Sequence, residues 1–582
     1  MQRRVAEHLG NPSATTTEQA AAATRGGDVF VTACPGAGKT HTVGLRLAYH
    51  AAYHPDASIA ALSHTNTAIE AIRASARKLV LLPDDYFLDT LHAFLLRYVV
   101  YPFGHLYMEC GVTPQVIGDE RDWSSSDIPT IGMPDRLNLR VKPWLMSIGA
   151  EGELSYQRPS DWPAAVTEDM VLDNRAEWCG VEKRAYWGRG LLSYSDVLWV
   201  AYNVLKEHPP LAKAVAARFD ELIVDEVQDT GGLQLACLAL LRVQDPQPNL
   251  VVVGDICQAV FEWSGATPSG LRTFAEEQEL AELPLTSNFR SSQNICDVTY
   301  HFSTRDQADR ARGSNAISPD RPELWRYARG AEVDLVDRFR ARLGELDIEE
   351  HDAAVLAWRH RLVRRLNGGT GEGDHKMHWL LRVLGEAAVE RDDHTGPGRE
   401  TFASLDRAVN FIAFGSPQPT GLSPGQRESV RTAAATLLAT LPKVEGELKD
   451  WNLSARQLLG STAGEVEGAE PKNVNLFMKD ATALRDVNAR DALSPPPVAL
   501  GRTIHDAKGE SIHAVLVVAS EEDAVQWASE AWTQQPPEET SEVLRVAYVA
   551  LTRAERLLVL ALPEDVADDV ASKYVSLGFA GT

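Results

Sequence analysis

The stretch Val31-Thr32-Ala33-Cys34-Pro35-Gly36-Ala37-Gly38-Lys39-Thr40 decides the fold. It follows an apolar run typical of a buried strand and opens a helical pattern. Glycines between a strand and a helix let backbone N–H groups close around phosphate oxygens. Lys39 is placed to reach the β- and γ-phosphates, and the Thr40 hydroxyl to ligate Mg²⁺. The stretch therefore predicts a phosphate-binding loop, although Ala33 stands where the general pattern has glycine.

A second apolar run, Glu221-Leu222-Ile223-Val224, delivers the adjacent carboxylates Asp225 and Glu226. Ligands of open α/β sheets bind at the edge where such strands end. Asp225 is suited to the Mg²⁺ sphere, and Glu226 to orienting and deprotonating an attacking water. An isolated Asp-Glu pair is normally solvated surface charge, but the strand before it and the upstream loop favour a catalytic interpretation.

Strand–helix alternation continues along the chain and predicts a doubly wound α/β fold. Four apolar strands are predicted before residue 255, and two more, at 353–357 and 514–518, after residue 350. This spacing indicates two α/β cores. Residues 95–218 and 371–497 interrupt the rhythm. We interpret both as inserted, mainly helical subdomains, with a helix at 428–441, because structureless segments of about 125 residues are improbable in a compact protein.

The composition of the chain limits the kinds of partner that it can bind. The chain of 582 residues carries a formal net charge of −24, which excludes a protein that coats nucleic acid through bulk positive charge. Its six cysteines show no metal-ligand spacing, so reduced buried thiols are expected. No apolar signal region and no membrane-spanning run are found, and a cytoplasmic location is predicted.

The loop, the carboxylate strand and six further segments resemble the ordered motif set of UvrD/Rep/PcrA-type helicases of superfamily 1. Together they extend over nearly the whole chain. Each motif alone is weak, but their order and spacing both fit the family. The six further segments are residues 63–68, 90–94, 254–266, 285–291, 503–509 and 545–554.

The resemblance implies two RecA-like P-loop domains, built of parallel sheets flanked by helices, with ATP and Mg²⁺ in the cleft between them. Each domain would carry one mainly helical insertion, at the places where the two irregular stretches were found. The predicted divisions are 1–94 and 219–280 for the ATP-binding domain, 95–218 for its insertion, 281–370 and 498–582 for the second domain, and 371–497 for its insertion.

The resemblance also assigns roles at the nucleotide. Gln19 would read adenine, and Phe289 would stack on it, where the family usually has Tyr. Gln258 would hydrogen-bond the attacking water or the γ-phosphate. Arg290 and Arg553 would act as arginine fingers, which neutralise charge spreading over the transferring phosphoryl group.

Single-stranded DNA would cross both domains, held partly by base stacking, which tolerates any sequence. Trp263 is the best stacking candidate, and His64 stands where the family usually has Phe. A core or surface histidine is an equally good interpretation of His64. The remaining predicted DNA contacts are Asn66, Thr90, His92, Thr503 and His505.

Two motifs depart from the family pattern. Ser264 replaces an arginine in residues 254–266, which would weaken the link between the ATP and DNA sites. The segment Gly509-Glu510-Ser511 replaces Gly-Leu-Glu, so Glu510 would only partly replace the ribose-binding glutamate. This variant is similar to short UvrD-like subunits that accompany a nuclease in anti-phage systems such as Gabija. No nuclease motif is found in this chain.

The favoured function is that of an ATP-dependent DNA helicase that moves 3′→5′ on single-stranded DNA and unwinds duplex junctions, as in DNA repair. The alternative is a DNA-stimulated ATPase that acts as a sensor or scaffold and gates a partner nuclease with little unwinding. A metabolic P-loop kinase is a third interpretation, and the segments at 285–291, 503–509 and 545–554 argue against it.

Overall fold

The computed structural model describes residues 1–117, 145–149, 152–156, 168–243, 245–260, 267–367, 379–392, 398–417, 419, 422–473, 488–493, 500–531 and 541–581. The chain divides into two compact units. The first comprises Met1–Tyr327 with Ile504–Thr582, and the second Ala328–Thr503. Among the described residues, no helix is long and apolar enough to cross a membrane.

A six-stranded parallel sheet forms the first core of the first unit. Its strands are β1 Val29–Ala33, β2 Ile59–Ser63, β3 Phe87–Thr90, β8 Glu221–Asp225, β9 Asn249–Gly254 and β10 Ala281–Leu285. They lie in the order β10-β1-β9-β8-β2-β3. Alternate residues of β1 enter separate apolar clusters, Phe30 in one and Val31 in the other. Both faces are therefore covered, as parallel sheets require.

Helices cover this sheet and connect its strands. The buried residues of Lys39–Tyr53 include Val43 and Leu47, which pack in the cluster around Val31. The helices of this part of the chain are Gln2–Leu9, Thr17–Thr24, Lys39–Tyr53, Asn66–Arg77, Leu91–Leu95, Gly232–Arg242 and Pro268–Glu277.

The stretch predicted as the first insertion is mainly helical where it is described. Its helices are Tyr101–Met108, Glu168–Trp187, Asp196–Glu207 and Pro209–Ala216. Two small sheets accompany them: β4 Gln115–Ile117 pairs with β7 Leu191–Ser193, and β5 Met146–Ile148 pairs with β6 Leu154–Tyr156.

A second parallel sheet lies in the first unit. Its strands are β13 Glu323–Tyr327, β16 Ile512–Val518, β17 Ala554–Pro563 and β18 Ala580–Gly581, in the order β16-β17-β13-β18. A short parallel pair, β11 Ser287–Asn288 with β12 Arg310–Ala311, lies earlier in the chain. The accompanying helices are Gln293–Thr299, Glu521–Ala531, Glu542–Leu551 and Asp568–Ser576.

The second unit contains the parallel strands β14 Ala353–Ala357 and β15 Gly501–Thr503 and a bundle of helices with one apolar core. The helix predicted at 428–441 is Pro424–Thr440. It begins earlier because the Ser423 side chain accepts a hydrogen bond from Gln426 N and caps the first turn. The unit's helices are Glu332–Glu345, His360–Leu366, Trp379–Asp392, Arg399–Phe414, Pro424–Thr440, Leu448–Gly464 and Ala489–Leu493.

The predicted fold class is confirmed: the protein is α/β, with parallel multi-stranded sheets flanked by helices, consistent with two RecA-like domains. The six strands predicted from apolar runs are all present. The division into four domains implied by the family resemblance remains a prediction.

Candidate functional site

The phosphate-binding loop lies between β1, which ends at Ala33, and the helix that begins at Lys39. Gly36 and Gly38 have φ of 71° and 76°, a region that side-chain-bearing residues rarely adopt. A Cβ added to Gly36 would also lie 2.6 Å from Arg290 Cβ. Ala33 is the last residue of a strand, so the missing glycine does not disturb the loop.

Buried packing supports the rest of the loop. Cys34 N donates to Leu285 O at 3.0 Å, and Ala37 N donates to Cys34 O at 3.1 Å. Cys34, Pro35 and Ala37 are buried. These hydrogen bonds and buried residues thus fix the backbone of the loop, as a preformed phosphate-binding site requires.

Lys39 and the two adjacent carboxylates meet at the ends of β1 and β8. Lys39 Nζ lies 3.1 Å from Glu226 Oε2, which also accepts a hydrogen bond from Gln228 Nε2 at 2.5 Å. Burial raises the pKa of Glu226, but the Lys39 charge and the Gln228 hydrogen bond outweigh it and lower the pKa to about 2. Glu226 is therefore ionised at neutral pH, and its backbone is in the left-handed region, with φ of 53°.

Asp225 and Thr40 fit the requirements of Mg²⁺. Burial together with the Glu226 charge raises the pKa of Asp225 to about 7 and outweighs the lowering effect of Thr40. Among the described residues, Asp225 Oδ2 is buried without a hydrogen-bond partner. Within the same residues no cluster of three His, Cys, Asp or Glu side chains is found. The Thr40 hydroxyl and the Asp225 carboxylate suit Mg²⁺, which takes one or two protein oxygens and completes its shell with water and phosphate.

Arg553 reaches Gln258 although the two are far apart in the chain. Arg553 Nη2 donates to Gln258 Oε1 at 2.9 Å, and Arg553 is only 1% exposed. Burial, with the Arg290 charge, lowers the pKa of Arg553 to about 9, so the guanidinium remains charged at neutral pH. A surface arginine of the helix end is therefore excluded, and the site holds cationic charge suited to an anion.

Arg290 and Phe289 lie beside the loop. Arg290 Nε donates to Ser511 Oγ at 2.7 Å and Nη1 to Thr552 O at 2.8 Å. Phe289 N donates to Gly36 O at 2.9 Å, while its side chain is 40% exposed and open to stacking. Ser511, which departs from the family pattern, thus contacts Arg290, a predicted arginine finger.

Gln19 and Glu510, the residues predicted to contact adenine and ribose, both make contacts within the protein. Gln19 Nε2 donates to Ala37 O at 2.9 Å, and its Oε1 accepts from Thr16 N at 3.0 Å. Each atom of this amide keeps one further hydrogen-bonding position, because the nitrogen carries two hydrogens and the oxygen two lone pairs. Glu510 is exposed, and its carbonyl accepts from Arg553 Nη1 at 3.3 Å.

Several side chains at the site were assigned no role from the sequence. Lys508 Nζ contacts Asp229 Oδ1 at 2.6 Å and Gln258 O at 3.0 Å. Burial, opposed by Lys508, raises the pKa of Asp229 to about 6. Lys508 and Asp229 lie inside or next to helicase-like motifs, and this was the only sequence signal for them. Their separation along the chain gives no indication of the contact.

A second group of predicted residues surrounds the end of β3. His92 stacks on Tyr194, with ring centroids 3.6 Å apart and planes 9° apart, and Tyr194 is 59% exposed. Tyr194 was missed because a lone tyrosine in the first predicted insertion carries no motif signal. Thr90 caps the following helix by accepting from Ala93 N at 3.1 Å.

The predicted DNA-contacting histidines have lowered pKa values. Burial lowers the pKa values of His64 and His92 to about 4, and it also lowers that of His505. His64 Nε2 lies 3.0 Å from Thr230 Oγ1. Without DNA, His64 and His92 are therefore uncharged at neutral pH.

The other predicted DNA contacts are dispersed. Asn66 is exposed at the start of its helix. Thr503 is buried and belongs to the second unit. Trp263 and Ser264 lie outside the described residues.

The fold and the glycine loop define the class: this is an α/β protein with a P-loop. The family model of the UvrD/REP helicase N-terminal domain matches residues 14–128 and 165–279. The chain is accordingly similar to UvrD/Rep/PcrA-type helicases of superfamily 1, as the motif order predicted.

Named relatives agree with this assignment. The chain is 21% identical over 618 residues to the ATP-dependent DNA helicase PcrA of Staphylococcus aureus, covering 94% of this chain and 82% of that relative. It is 25% identical over 373 residues to the ATP-dependent DNA helicase UvrD1 of Mycobacterium leprae, covering 59% of this chain and 46% of that relative. It is 37% identical over 120 residues to an ATP-dependent helicase/nuclease subunit of Levilactobacillus brevis, covering 19% of this chain and only 10% of that relative.

Proposed function

We propose that the protein is an ATP-dependent DNA helicase that uses Mg²⁺ and couples ATP hydrolysis to 3′→5′ movement on single-stranded DNA and to duplex unwinding. The contact between Arg553 and Gln258, at 2.9 Å, is the observation that carries this proposal. It supports an arrangement in which residues from segments that are distant in the chain form one phosphate-binding site. Movement of these segments then alters the chemistry, which is what a motor requires.

The side chains have distinct proposed roles in hydrolysis. Lys39 and the loop N–H groups bind the phosphates. Thr40 and Asp225 would hold Mg²⁺, which would stabilise charge on the phosphate oxygens. Glu226 accepts a proton from the attacking water, which Gln258 orients. Arg290 and Arg553 neutralise charge that develops in the transition state.

DNA binding is proposed on the face that carries Tyr194. This exposed ring is held by its stack on buried His92 and offers a flat surface to a base. The names of the PcrA and UvrD1 relatives, both DNA helicases, support the same ligand.

The test of the motor is ATP hydrolysis by the purified chain with and without single-stranded DNA, together with strand displacement from duplexes bearing a 3′ or a 5′ tail. We expect DNA-stimulated hydrolysis that is indifferent to sequence, and unwinding from the 3′ tail only. The Lys39→Ala protein, which lacks the phosphate-binding charge, serves as the inactive control. Full hydrolysis without DNA at low salt would contradict a DNA motor.

Tyr194→Ala should weaken binding to a short oligothymidylate by about 1–3 kcal/mol, since one stacking surface is lost. Tyr194→Phe keeps the ring and should bind almost as the unaltered protein does. Fluorescence anisotropy measures both affinities, and thermal unfolding checks the fold. Equal affinities for all three proteins would remove Tyr194 from the DNA face.

The second candidate is a DNA-stimulated ATPase that gates a partner nuclease. Three relatives that are named as helicase/nuclease subunits support it, at 37%, 33% and 31% identity, although the matches cover only 10%, 11% and 15% of those relatives. Stimulated hydrolysis without strand displacement would favour this candidate over the helicase.

A further inference from the structure

Arg305 lies outside every helicase-like motif segment, in the loop after the turn Tyr300–Phe302. Its Nη2 donates to Ala33 O at 2.9 Å and to Asp255 Oδ1 at 3.0 Å. Ala33 ends β1 just before the phosphate loop, and Asp255 follows β9 directly. One guanidinium therefore ties together the ends of two paired strands at the edge where the nucleotide site is formed.

Asp255 is a buried carboxylate, only 2% exposed, and it contacts Gln258. Its Oδ2 accepts from Gln258 Nε2 at 2.7 Å, and its Oδ1 accepts from Cys257 N at 3.2 Å. A carboxylate so far from water is strongly unfavourable without a cationic partner, and Arg305 supplies that partner. Asp309, 3.8 Å from Arg305 Nε, is the second acidic neighbour of the guanidinium.

The chemistry of its two neighbours determines the orientation of the Gln258 amide. An ionised carboxylate only accepts hydrogen bonds, so Gln258 must turn its NH₂ toward Asp255. A guanidinium only donates, so Gln258 must turn Oε1 toward Arg553, as the 2.9 Å contact shows. Both neighbours select the same orientation, which leaves Oε1 as an acceptor for the hydrogen of an attacking water.

We propose that Arg305 and Asp255 are positioning residues for ATP hydrolysis: Arg305 holds Asp255 at the ends of β1 and β9, and Asp255 locks Gln258 in its productive amide orientation. This inference rests on the proposed function of Gln258 in an ATPase. Neither positioning residue needs to touch the nucleotide, so the predicted defect lies in turnover and not in binding.

Asp255→Asn tests the lock with almost no change in shape. The new amide donates as well as accepts, so Gln258 is free to flip. We expect DNA-stimulated kcat to fall by about 10–100-fold, the range typical of residues that orient a reacting group from behind. The KM for ATP and the affinity for a fluorescent ATP analogue should stay within about threefold, as expected when ground-state binding is preserved.

Substitutions of Arg305 provide the matched series. Arg305→Ala should show the same loss of kcat, and Arg305→Lys should recover part of it, because lysine keeps the charge but lacks the rigid guanidinium whose Nη2 donates to both acceptors. Arg312→Ala removes an exposed arginine nearby in the chain and should hydrolyse ATP as the unaltered protein does. Titration with the fluorescent analogue counts folded sites, so that turnover is expressed per competent molecule.

A purely structural role for Arg305 would reduce the number of competent sites and leave turnover per site unchanged, and that result would overturn the proposal. An Asp255→Asn protein with kcat equal to that of the unaltered protein would also overturn it. If the unaltered protein hydrolyses no ATP with DNA present, the proposed function fails together with this inference. Normal hydrolysis with unaffected variants rejects the inference alone.

Discussion

Replacing Arg553 by alanine should lower DNA-stimulated ATP turnover by roughly 10³–10⁵-fold, the range associated with arginine fingers, and abolish unwinding. Arg553 is buried against Gln258 Oε1 at 2.9 Å, so its charge is delivered to the site and not to solvent. Because this charge is needed mainly in the transition state, ATP binding should remain close to normal. Steady-state hydrolysis and binding of a fluorescent ATP analogue measure the two effects separately.

Arg556 offers a matched control for Arg553, three residues further along the chain. Its Nε donates to Asp320 Oδ2 at 2.7 Å. We expect Arg556→Ala to hydrolyse ATP within a few-fold of the unaltered protein and Arg290→Ala to resemble Arg553→Ala. If Arg553→Ala itself remained within a few-fold, its buried contact would be structural and the assignment of the motif would be wrong.

Glu226→Gln should reduce ATP hydrolysis by about 10²–10⁴-fold, the usual contribution of a positioned general base. The carboxylate pKa of about 2 keeps Glu226 ionised across the neutral range, so it is able to accept the proton of the attacking water. Glutamine has the same shape but cannot accept that proton. ATP should therefore still bind, and the protein should hold single-stranded DNA tightly in the ATP-bound state.

Equilibrium binding of ATP and of a labelled oligonucleotide, with multiple-turnover hydrolysis, tests this expectation. Glu282→Gln, at an exposed position of β10, is the control for loss of one carboxylate and should hydrolyse ATP normally. Hydrolysis by Glu226→Gln near the normal rate would exclude Glu226 as the base.

The strands and the phosphate loop could be predicted from the sequence because their signals are local. Apolar runs report strands buried on both faces, and β1, β8 and β16 appear where such runs occur. The helix Pro424–Thr440 was likewise predictable, but its first turn depends on a capping hydrogen bond to Ser423, which periodicity alone does not reveal. The replacement of the usual glycine by Ala33 was visible in the sequence. Only the structure shows that Ala33 ends a strand, where it does not disturb the phosphate loop.

The family resemblance named residues at the site without giving their partners. It pointed to Gln258 and Arg553 but not to the hydrogen bond between them. It pointed to Gln19 as an adenine reader, whereas the structure shows an amide that also supports the phosphate loop through Ala37 O. Roles carried by resemblance are therefore incomplete until the contacts of each side chain are known.

By itself the sequence determined the α/β class, the phosphate loop, the paired carboxylates and the order of the motifs, because each is written in residues that are adjacent or regularly spaced. Only the tertiary structure decided which distant polar groups meet: Lys508 with Asp229, Arg290 with Ser511 and Arg305 with Asp255. It also decided that Tyr194 lies on His92. Chain separation carries no information about such contacts, since they form only when the folded elements bring strand ends and loops to one edge, where burial makes an unpartnered charge unfavourable.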